Sequence, residues 1–260
     1  MTTTATTHHT HQARRSVGIV RTLSCARRVL QQLSHDHRSV ALIVLMPSIL
    51  LLVFRYVYDS TPMVFDRIGP QMLGLFPFII MFLVTSVTMV RERTSGTLER
   101  LLTTPLRRGE LIGGYALGFG VAALVQSVVS SAVAIYLLGL DVQIPWAIAL
   151  FAVIDAVLGT ALGLLMSAFA TTEFQAVQFM PLVVVPQILL CGLLLPRDRM
   201  PRVLELISDV LPLSYATDAF TELSSADTFN DAMAFDLSVL VGFVVVSIAL
   251  ASLTLRRRTP

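Results

Sequence analysis

The chain has 260 residues, of which 55% are hydrophobic and 14% are charged, and its formal net charge is +2. Soluble domains carry about 25% charged residues, so this composition excludes an ordinary soluble domain and favours an integral membrane protein. All 19 residues counted as Lys or Arg are arginine, and the absence of lysine excludes a phosphate-binding P-loop, whose motif requires Lys before Ser or Thr.

Residues 1–18 form a Thr-rich segment that contains His8, His9 and His11. We predict that this tail is disordered, because polar segments of low complexity bury too little apolar surface to fold. A metal site at the three histidines is the alternative.

Residues 19–37 are predicted to form an amphipathic helix. Apolar residues recur at spacings of three and four, at Ile19, Leu23, Ala26, Leu30 and Leu33. Arginines lie between them, so the pattern indicates a helix on the inner membrane surface, where basic side chains attract anionic lipid. A soluble helix packed on a partner is the alternative.

Six long apolar runs follow, at about residues 39–58, 69–90, 111–140, 142–170, 177–195 and 237–255. Each is long enough to cross a hydrocarbon core about 30 Å thick as a helix. Helices also satisfy their backbone hydrogen bonds within one segment, as lipid requires. We therefore predict an all-α integral membrane protein whose six-span domain occupies residues 38–255.

The distribution of arginine predicts the orientation of these spans. Fourteen of the 19 arginines lie before span one, between spans two and three, or in the tail at 256–260. The other five lie on the opposite side, beside an acidic series from Asp198 to Asp236. By the positive-inside rule, both termini and the loop after span two face the cytoplasm.

The cytoplasmic segment 91–110 combines charged residues with an apolar stripe. Its sequence is RERTSGTLERLLTTPLRRGE, and the stripe comprises Leu98, Leu101, Leu102 and Leu106. Gly96 and Pro105 interrupt it and predict turns. The pattern indicates a helical elbow that docks on a soluble partner, or a solvated loop between spans. The short loop 171–176, which contains Glu173, is predicted to make a second, smaller contact.

Asp155 is the one clear ionisable residue deep within a span, midway along span four. Insertion scales assign about 2.5–3.5 kcal/mol to a charge at such a depth. Asp155 is therefore either a cation or proton contact in a translocation path, or a neutral residue of helix packing. Gln126 and Gln178 are its candidate neighbours in such a path.

Two small-residue steps predict close helix packing. They are Gly114 with Gly118 in span three and Gly159 with Gly163 in span four. The G-x-x-x-G spacing lets two helix backbones approach each other. The sequence leaves open whether each step packs within one chain or between subunits.

Residues 196–236 lie between spans five and six and are too apolar for a plain loop. Prolines interrupt them at Pro196, Pro201 and Pro212, and Val203, Leu206, Ile207 and Val210 share one helical face. We predict short helices that enter the outer leaflet and return, as a re-entrant segment.

Two motifs resemble those of membrane subunits of type-2 ATP-binding cassette (ABC) exporters. The first is E-R-x-x-G-T-L-E-R-L-L-x-x-P-L-R-R-x-E-L after span two, matched by Glu92, Gly96, Thr97, Leu98, Glu99, Leu101, Leu102, Pro105 and Glu110. The second is the G-x-x-x-P-x-x-x-M-P and P-x-x-Y-x-x-D pair of the re-entrant region, matched by Gly192, Pro196, Met200, Pro201, Pro212, Tyr215 and Asp218. The resemblance covers roughly residues 19–255 and is greatest to permeases of daunorubicin-resistance-type drug exporters.

The resemblance implies a cell-membrane permease that forms half of a path for an amphipathic drug, antibiotic or lipid. It implies a separate cytoplasmic ATPase in two copies, which binds ATP and Mg, and a second permease that is identical or paralogous. The implied coupling residues are those of the first motif together with Arg107 and Glu173. The implied gate comprises Gly192, Pro196, Pro201, Pro212, Tyr215 and Asp218. We expect the chain itself to bind no cofactor, metal or nucleic acid.

Two other functional classes remain as alternatives. A secondary transporter that needs no ATPase would use Asp155 for coupling and would favour inverted repeats with broken helices. A lipid-modifying enzyme or scaffold would gather polar catalytic residues at one membrane face. The chain lacks the Gly-x-Ser-x-Gly and His-Glu-x-x-His motifs, so we expect a non-catalytic subunit.

Overall fold

The computed structural model describes the backbone over residues 6–96 and 107–254, and the side chains over residues 18–96 and 107–254. Within these ranges every regular element is a helix. The helices are α1 (Thr6–His35), α2 (His37–Val57), α3 (Pro62–Thr94), α4 (Arg108–Ala132, continued by a π-helical turn over Val133–Leu137), α5 (Pro145–Ser167), α6 (Glu173–Leu190), α7 (Arg202–Ser208), α8 (Pro212–Leu223) and α9 (Asp231–Thr254).

Six of the helices in the described ranges, α2 to α6 and α9, are long and apolar enough to cross a membrane. This confirms the predicted all-α architecture with six spans. The helices extend beyond the apolar runs, as α3 does at both ends of the run at 69–90. A helix continues through flanking polar residues until proline or glycine interrupts it, and here Pro62 begins α3 while Gly96 follows its end.

The amino-terminal helix differs from the prediction at its start. α1 begins at Thr6, so helix includes residues 6–18, for which we predicted disorder, and the element is longer than 19–37. Residues 6–17 contain neither glycine nor proline, the two residues that disfavour a helix most, and Gly18 is the first of these in α1. α1 ends at His35, and the next residue, Asp36, caps α2 by accepting a hydrogen bond from the backbone N–H of Ser39 at 3.3 Å.

The centre of the molecule is the pair α3 and α5. In α3, 72% of the most apolar stretch is buried, against 61% in α5 and only 17% in α2 and in α6. The Gly159 and Gly163 step lies at this contact, where an added Cβ would stand 2.3 Å from the carbonyl oxygen of Phe78 and 2.6 Å from that of Phe82. This step therefore packs within one chain.

The second glycine step docks α1 onto α4. An added Cβ at Gly114 would stand 2.5 Å from Cβ of Cys25, and one at Gly118 would stand 2.9 Å from Cβ of Val29. Both G-x-x-x-G steps are thus used inside the chain. The outward faces of α2, α6 and α9 stay exposed and are available to lipid or to another subunit.

The segment between α6 and α9 contains a 3-10 turn over Arg197–Arg199, then α7 and α8. α8 packs its buried face on the core, where the Phe220 ring lies 6.2 Å from the Phe151 ring of α5. The region 196–236 therefore contains short helices that join the core. Its depth in a bilayer, and so its re-entrant character, stays a prediction.

Candidate functional site

Part of the predicted coupling segment lies outside the described residues, namely Thr97, Leu98, Glu99, Leu101, Leu102 and Pro105. The residues at its two edges are described. Gly96 has a φ of +74° directly after α3, a left-handed conformation that suits glycine at a helix end. On the other side, α4 begins at Arg108. Residues 97–106 therefore connect the ends of two spanning helices that are predicted to face the cytoplasm.

Glu92 lies near the end of α3 that is predicted to face the cytoplasm, and it is buried, with 8% of its surface exposed. Its carboxylate accepts hydrogen bonds from Arg28 of α1 at 3.0 Å and from the Tyr115 hydroxyl of α4 at 2.5 Å. We call these three residues the inner clamp. The clamp joins α1, α3 and α4, so Glu92, predicted from the motif as a coupling residue, is bound inside the chain.

Glu110 also acts within the chain. Its side chain accepts a hydrogen bond from the backbone N–H of Arg107 at 2.9 Å and so satisfies a donor at the start of α4. The same carboxylate lies 3.9 Å from the guanidinium of Arg21 on α1. Glu110 therefore fixes the end of the predicted elbow against the amino-terminal helix. Arg107 keeps its side chain exposed on this surface.

Arg91 and Glu173 form a second connection, which we call the inner bridge. Arg91 donates two hydrogen bonds to Glu173 at 2.9 Å each, in a bidentate pair between α3 and the start of α6. Next to it, Arg93 donates to the backbone carbonyls of Ala168, at 3.3 Å, and of Ala170. The loop 171–176, predicted as a second contact, is thus held to Arg91 and Arg93 at the start of the predicted coupling segment.

Asp36 lies close to the inner bridge, where the charge of Arg91 acts on it. The hydroxyl of Ser39 donates to Asp36 at 2.7 Å, and this bond lowers the pKa of the Asp36 carboxyl below its ordinary value. The junction of α1 and α2 is therefore capped by a charged residue on which Arg91 of α3 acts.

Asp155 is buried in α5, with 1% of its surface exposed, and neither carboxyl oxygen has a hydrogen-bond partner among the described residues. It lines a small cavity between α3, α5, α8 and the end of α6. The other polar lining residues are Gln71, Cys191 and Thr217, and the apolar ones include Leu75, Leu193, Leu213 and Phe220. The centre of a water-sized molecule has about 10 Å³ of room there, about the volume that one water needs.

The predicted neighbours of Asp155 do not line this cavity. Gln126 is buried elsewhere in α4, and Gln178 is exposed on α6. Sequence reasoning missed Gln71, Cys191 and Thr217 because they come from three separate segments. The one available signal was Gln71, a polar residue in the apolar run of span two.

On the opposite end, Arg197 is the centre of a cluster of which the second motif contains only Tyr215 and Asp218. Arg197 pairs with Asp209 and with Asp218, and its guanidinium lies 5.8 Å from the ring centroid of Tyr215. The Tyr215 hydroxyl donates to the Asp209 carbonyl at 2.8 Å. Burial raises the pKa of Asp218, and the charge of Arg197 opposes that shift. We call these four residues the outer cluster.

The remaining predicted gate residues lie at the ends of helices around the outer cluster. Gly192 has a φ of +95° just after α6, and an added Cβ there would stand 3.4 Å from the side chain of Arg197. Pro212 occupies the first turn of α8, and Pro201 and Pro196 directly precede α7 and the 3-10 turn. The structure therefore brings the second motif together around one arginine.

The chain is similar to known proteins over the same regions. The family model described as ABC-2 type transporter matches residues 21–223, which include the inner clamp, the cavity and the outer cluster. ABC transporter G family member 20 of Dictyostelium discoideum is 32% identical over 161 residues. "Probable multidrug ABC transporter permease YbhR" of Escherichia coli (strain K12) is 30% identical over 167 residues. "Linearmycin resistance permease protein LnrN" of Bacillus subtilis (strain 168) is 26% identical over 188 residues.

These relatives are longer than the aligned stretches. The alignments cover 61%, 62% and 69% of this chain, and 22%, 44% and 48% of the three relatives in the same order. The chain thus spans less than half the length of each of these relatives.

Proposed function

Because the chain belongs to the ABC-2 type transporter family, we propose that it is the permease subunit of an ATP-driven exporter in the cell membrane. A separate cytoplasmic ATPase, present in two copies, binds ATP and Mg and supplies the work. A second permease, identical or paralogous, completes the path. The observation that carries the proposal is the set of ion pairs that joins α1, α3, α4 and α6 beside residues 97–106.

The arginine distribution supports an orientation with this surface and both termini in the cytoplasm. An ATPase that docks on residues 97–106 then pushes on the inner ends of α3 and α4. The inner clamp carries this displacement to α1, because Glu92 binds Arg28 and Tyr115 together. The inner bridge carries it to α6 through Glu173.

Close packing determines how the motion continues through the membrane. Protein interiors are dense and shift as rigid units when one element is displaced. The contact between the glycine step of α5 and the backbone at Phe78 and Phe82 leaves no space for α3 to slide independently. A displacement of α3 therefore moves α5, and with it Asp155 and the face that α8 covers.

The names of the relatives support the substrate class. One is described as a multidrug permease and another as a linearmycin resistance permease. We propose an amphipathic drug, antibiotic or lipid as the exported molecule. Family membership favours this function over a secondary transporter without ATPase and over a lipid-modifying enzyme or scaffold.

The proposal is tested by purifying the tagged chain with a co-expressed ABC ATPase from its own genome and by measuring ATP hydrolysis in lipid nanodiscs, with daunorubicin as the probe. We expect the two proteins to co-purify and daunorubicin to stimulate hydrolysis. Glu99→Ala should reduce this stimulation, whereas Asp227→Ala in the loop before α9 should not. Transport of the probe by the chain alone under a proton gradient would overturn the proposal.

A further inference from the structure

The cavity beside Asp155 is lined by hydrogen-bond acceptors. Asp155 contributes a carboxyl group whose two oxygens have no partner among the described residues. Thr217 and Gln71 contribute a hydroxyl and an amide to the same lining. An ordered network around α8 determines which end of the Gln71 amide remains available.

The Thr221 hydroxyl donates its hydrogen to the backbone carbonyl of Thr217 at 2.7 Å. Its oxygen must therefore accept the bond from Gln71, at 2.6 Å, which assigns the NH₂ group of Gln71 to Thr221. The amide oxygen is the end of Gln71 that stays free. The Cys191 thiol likewise donates to the Ile188 carbonyl at 3.3 Å, away from the cavity.

Three side chains that can each accept a hydrogen bond therefore line one small space, namely those of Asp155, Gln71 and Thr217. A primary ammonium group carries three N–H donors and one positive charge. Its nitrogen is close to a water molecule in size, and the cavity has room for about one such centre. A primary ammonium group therefore matches the cavity in its number of hydrogen-bond donors, in its charge and in its size.

Burial of the Asp155 carboxyl also favours a cationic ligand. A lone carboxylate in an apolar site is stabilised only when it is neutralised by a proton or paired with a cation that is also hydrogen-bonded. The rest of the lining is apolar and includes Leu75, Leu193 and Phe220. The cavity is large enough for the ammonium head of an amphiphile alone, so the hydrocarbon part of the ligand lies outside it. Among the lining residues, Leu193 and Gln71 are only partly buried.

We propose that Asp155, Gln71 and Thr217 form a binding site for the primary ammonium group of a cationic amphiphile. The proposal rests on the exporter function proposed above, and it names cationic amines as the substrate class. α8 supplies Thr217 and also carries Asp218, so this helix connects the site to the outer cluster.

Native mass spectrometry of the detergent-solubilised complex with the ATPase tests the site without requiring hydrolysis. The probes are dodecylamine, which is protonated at pH 7, and 1-dodecanol, which has the same chain and no charge. Wild-type complex should bind dodecylamine at least about tenfold more tightly than 1-dodecanol, the lower limit for a hydrogen bond to a charged group. Asp155→Asn should remove this preference, and Thr217→Val, which keeps the charge, should reduce it by a smaller factor.

Asp236→Asn is the matched control, because Asp236 is also a buried carboxyl in a span and does not line the cavity. It should keep the full preference. Equal binding of both probes to wild type, or an amine preference that survives in Asp155→Asn, would overturn the site. So would an equal loss in Asp236→Asn. Amine binding without any effect on ATP turnover would instead contradict the exporter function and leave the site standing.

Discussion

Glu92 shows how one buried carboxylate holds three helices. It is the acceptor for both Arg28 and Tyr115, which come from segments on either side of it in the chain. Arg28 also lies 2.5 Å from the Tyr115 hydroxyl and 5.7 Å from its ring centroid. The group is mostly shielded from water, so its hydrogen bonds are stronger than those of an exposed pair.

Glu92→Gln keeps the shape of the side chain and removes its charge. We expect a loss of about 2 kcal/mol in stability, within the range for hydrogen bonds to charged groups. The control is Glu205→Gln, which breaks the exposed pair with Arg202 in α7 and should cost less than about 0.5 kcal/mol. Thermal unfolding in detergent measures both. Equal effects of the two substitutions would show that the inner clamp adds no particular stability.

Asp36 gives a prediction on pH. The hydrogen bond from Ser39 lowers the pKa of Asp36 in the folded protein, so the folded state binds this proton less readily than the unfolded state. The stabilisation is therefore complete above the unfolded pKa of about 4 and is lost as the pH falls through the lowered value.

Asp36→Asn tests this dependence, because asparagine also caps helices and does not titrate. The melting temperature of wild type should fall relative to that of Asp36→Asn between pH 5 and about pH 2. Above pH 6 the difference between the two proteins should be constant. A difference that is constant over the whole range would contradict the assigned pKa shift.

At the scale of the elements, the periodicity of α1 predicted a helix but not which of its faces packs on the protein. Its apolar residues predicted one membrane-facing stripe, but α1 buries Cys25, Ala26 and Val29 on α4 and leaves Ile19 and Leu23 exposed. The helix thus has two apolar faces, and spacing alone does not show which of them packs on the protein. The exposed face fits the predicted position on the membrane surface.

Gly114→Ala should loosen the contact between α1 and α4. The new Cβ would stand 2.5 Å from Cβ of Cys25 and 3.0 Å from the Thr22 carbonyl, so the backbones must separate. Cys25, now 6% exposed, should then react faster with a maleimide in a Cys191→Ser background. Gly120→Ala is the control, because nothing lies within 4 Å of its added Cβ. Similar labelling rates in both variants would place the tight contact elsewhere.

The spans could be predicted because each one is a continuous run of about 20 apolar residues, which is the length that a helix needs to cross a bilayer. The partners of Glu92 and Asp155 could not, since they come from residues far away in the sequence. Motif matching found Asp218 and Tyr215 but missed Arg197, which binds them only after α8 folds back toward the end of α6. Which side chains pair across helices depends on how the helices pack, and a single sequence does not show that packing.

At the scale of the whole molecule, two ionic groups lie at opposite ends of one helical body. The inner clamp and inner bridge hold α1, α3, α4 and α6, and the outer cluster holds the segment between α6 and α9. The tight contact of α3 with α5 connects these ends through the region of Asp155. A displacement at the inner surface can thus reach the outer segment without unfolding any span.

Mutations in the inner bridge should affect coupling and stability differently. Arg91 and Glu173 are 57% and 42% exposed, so their pair contributes at most about 1 kcal/mol to stability. In the proposed mechanism, its position between α3 and α6 nevertheless makes it part of the path for force. Glu173→Ala and Arg91→Ala should therefore each reduce daunorubicin-stimulated ATP turnover, while the melting temperature stays nearly unchanged.

The exchanged pair Arg91→Glu with Glu173→Arg should restore most of this turnover, because the attraction between α3 and α6 returns with reversed polarity. Restoration should be incomplete, since Asp36 also faces position 91. Asp59→Ala is the control, as it removes an exposed acid that pairs with Arg55 at the far end of α2. If the exchanged pair is as poorly coupled as either single variant, force does not pass from α3 to α6 through this contact, and the inner clamp alone must carry it.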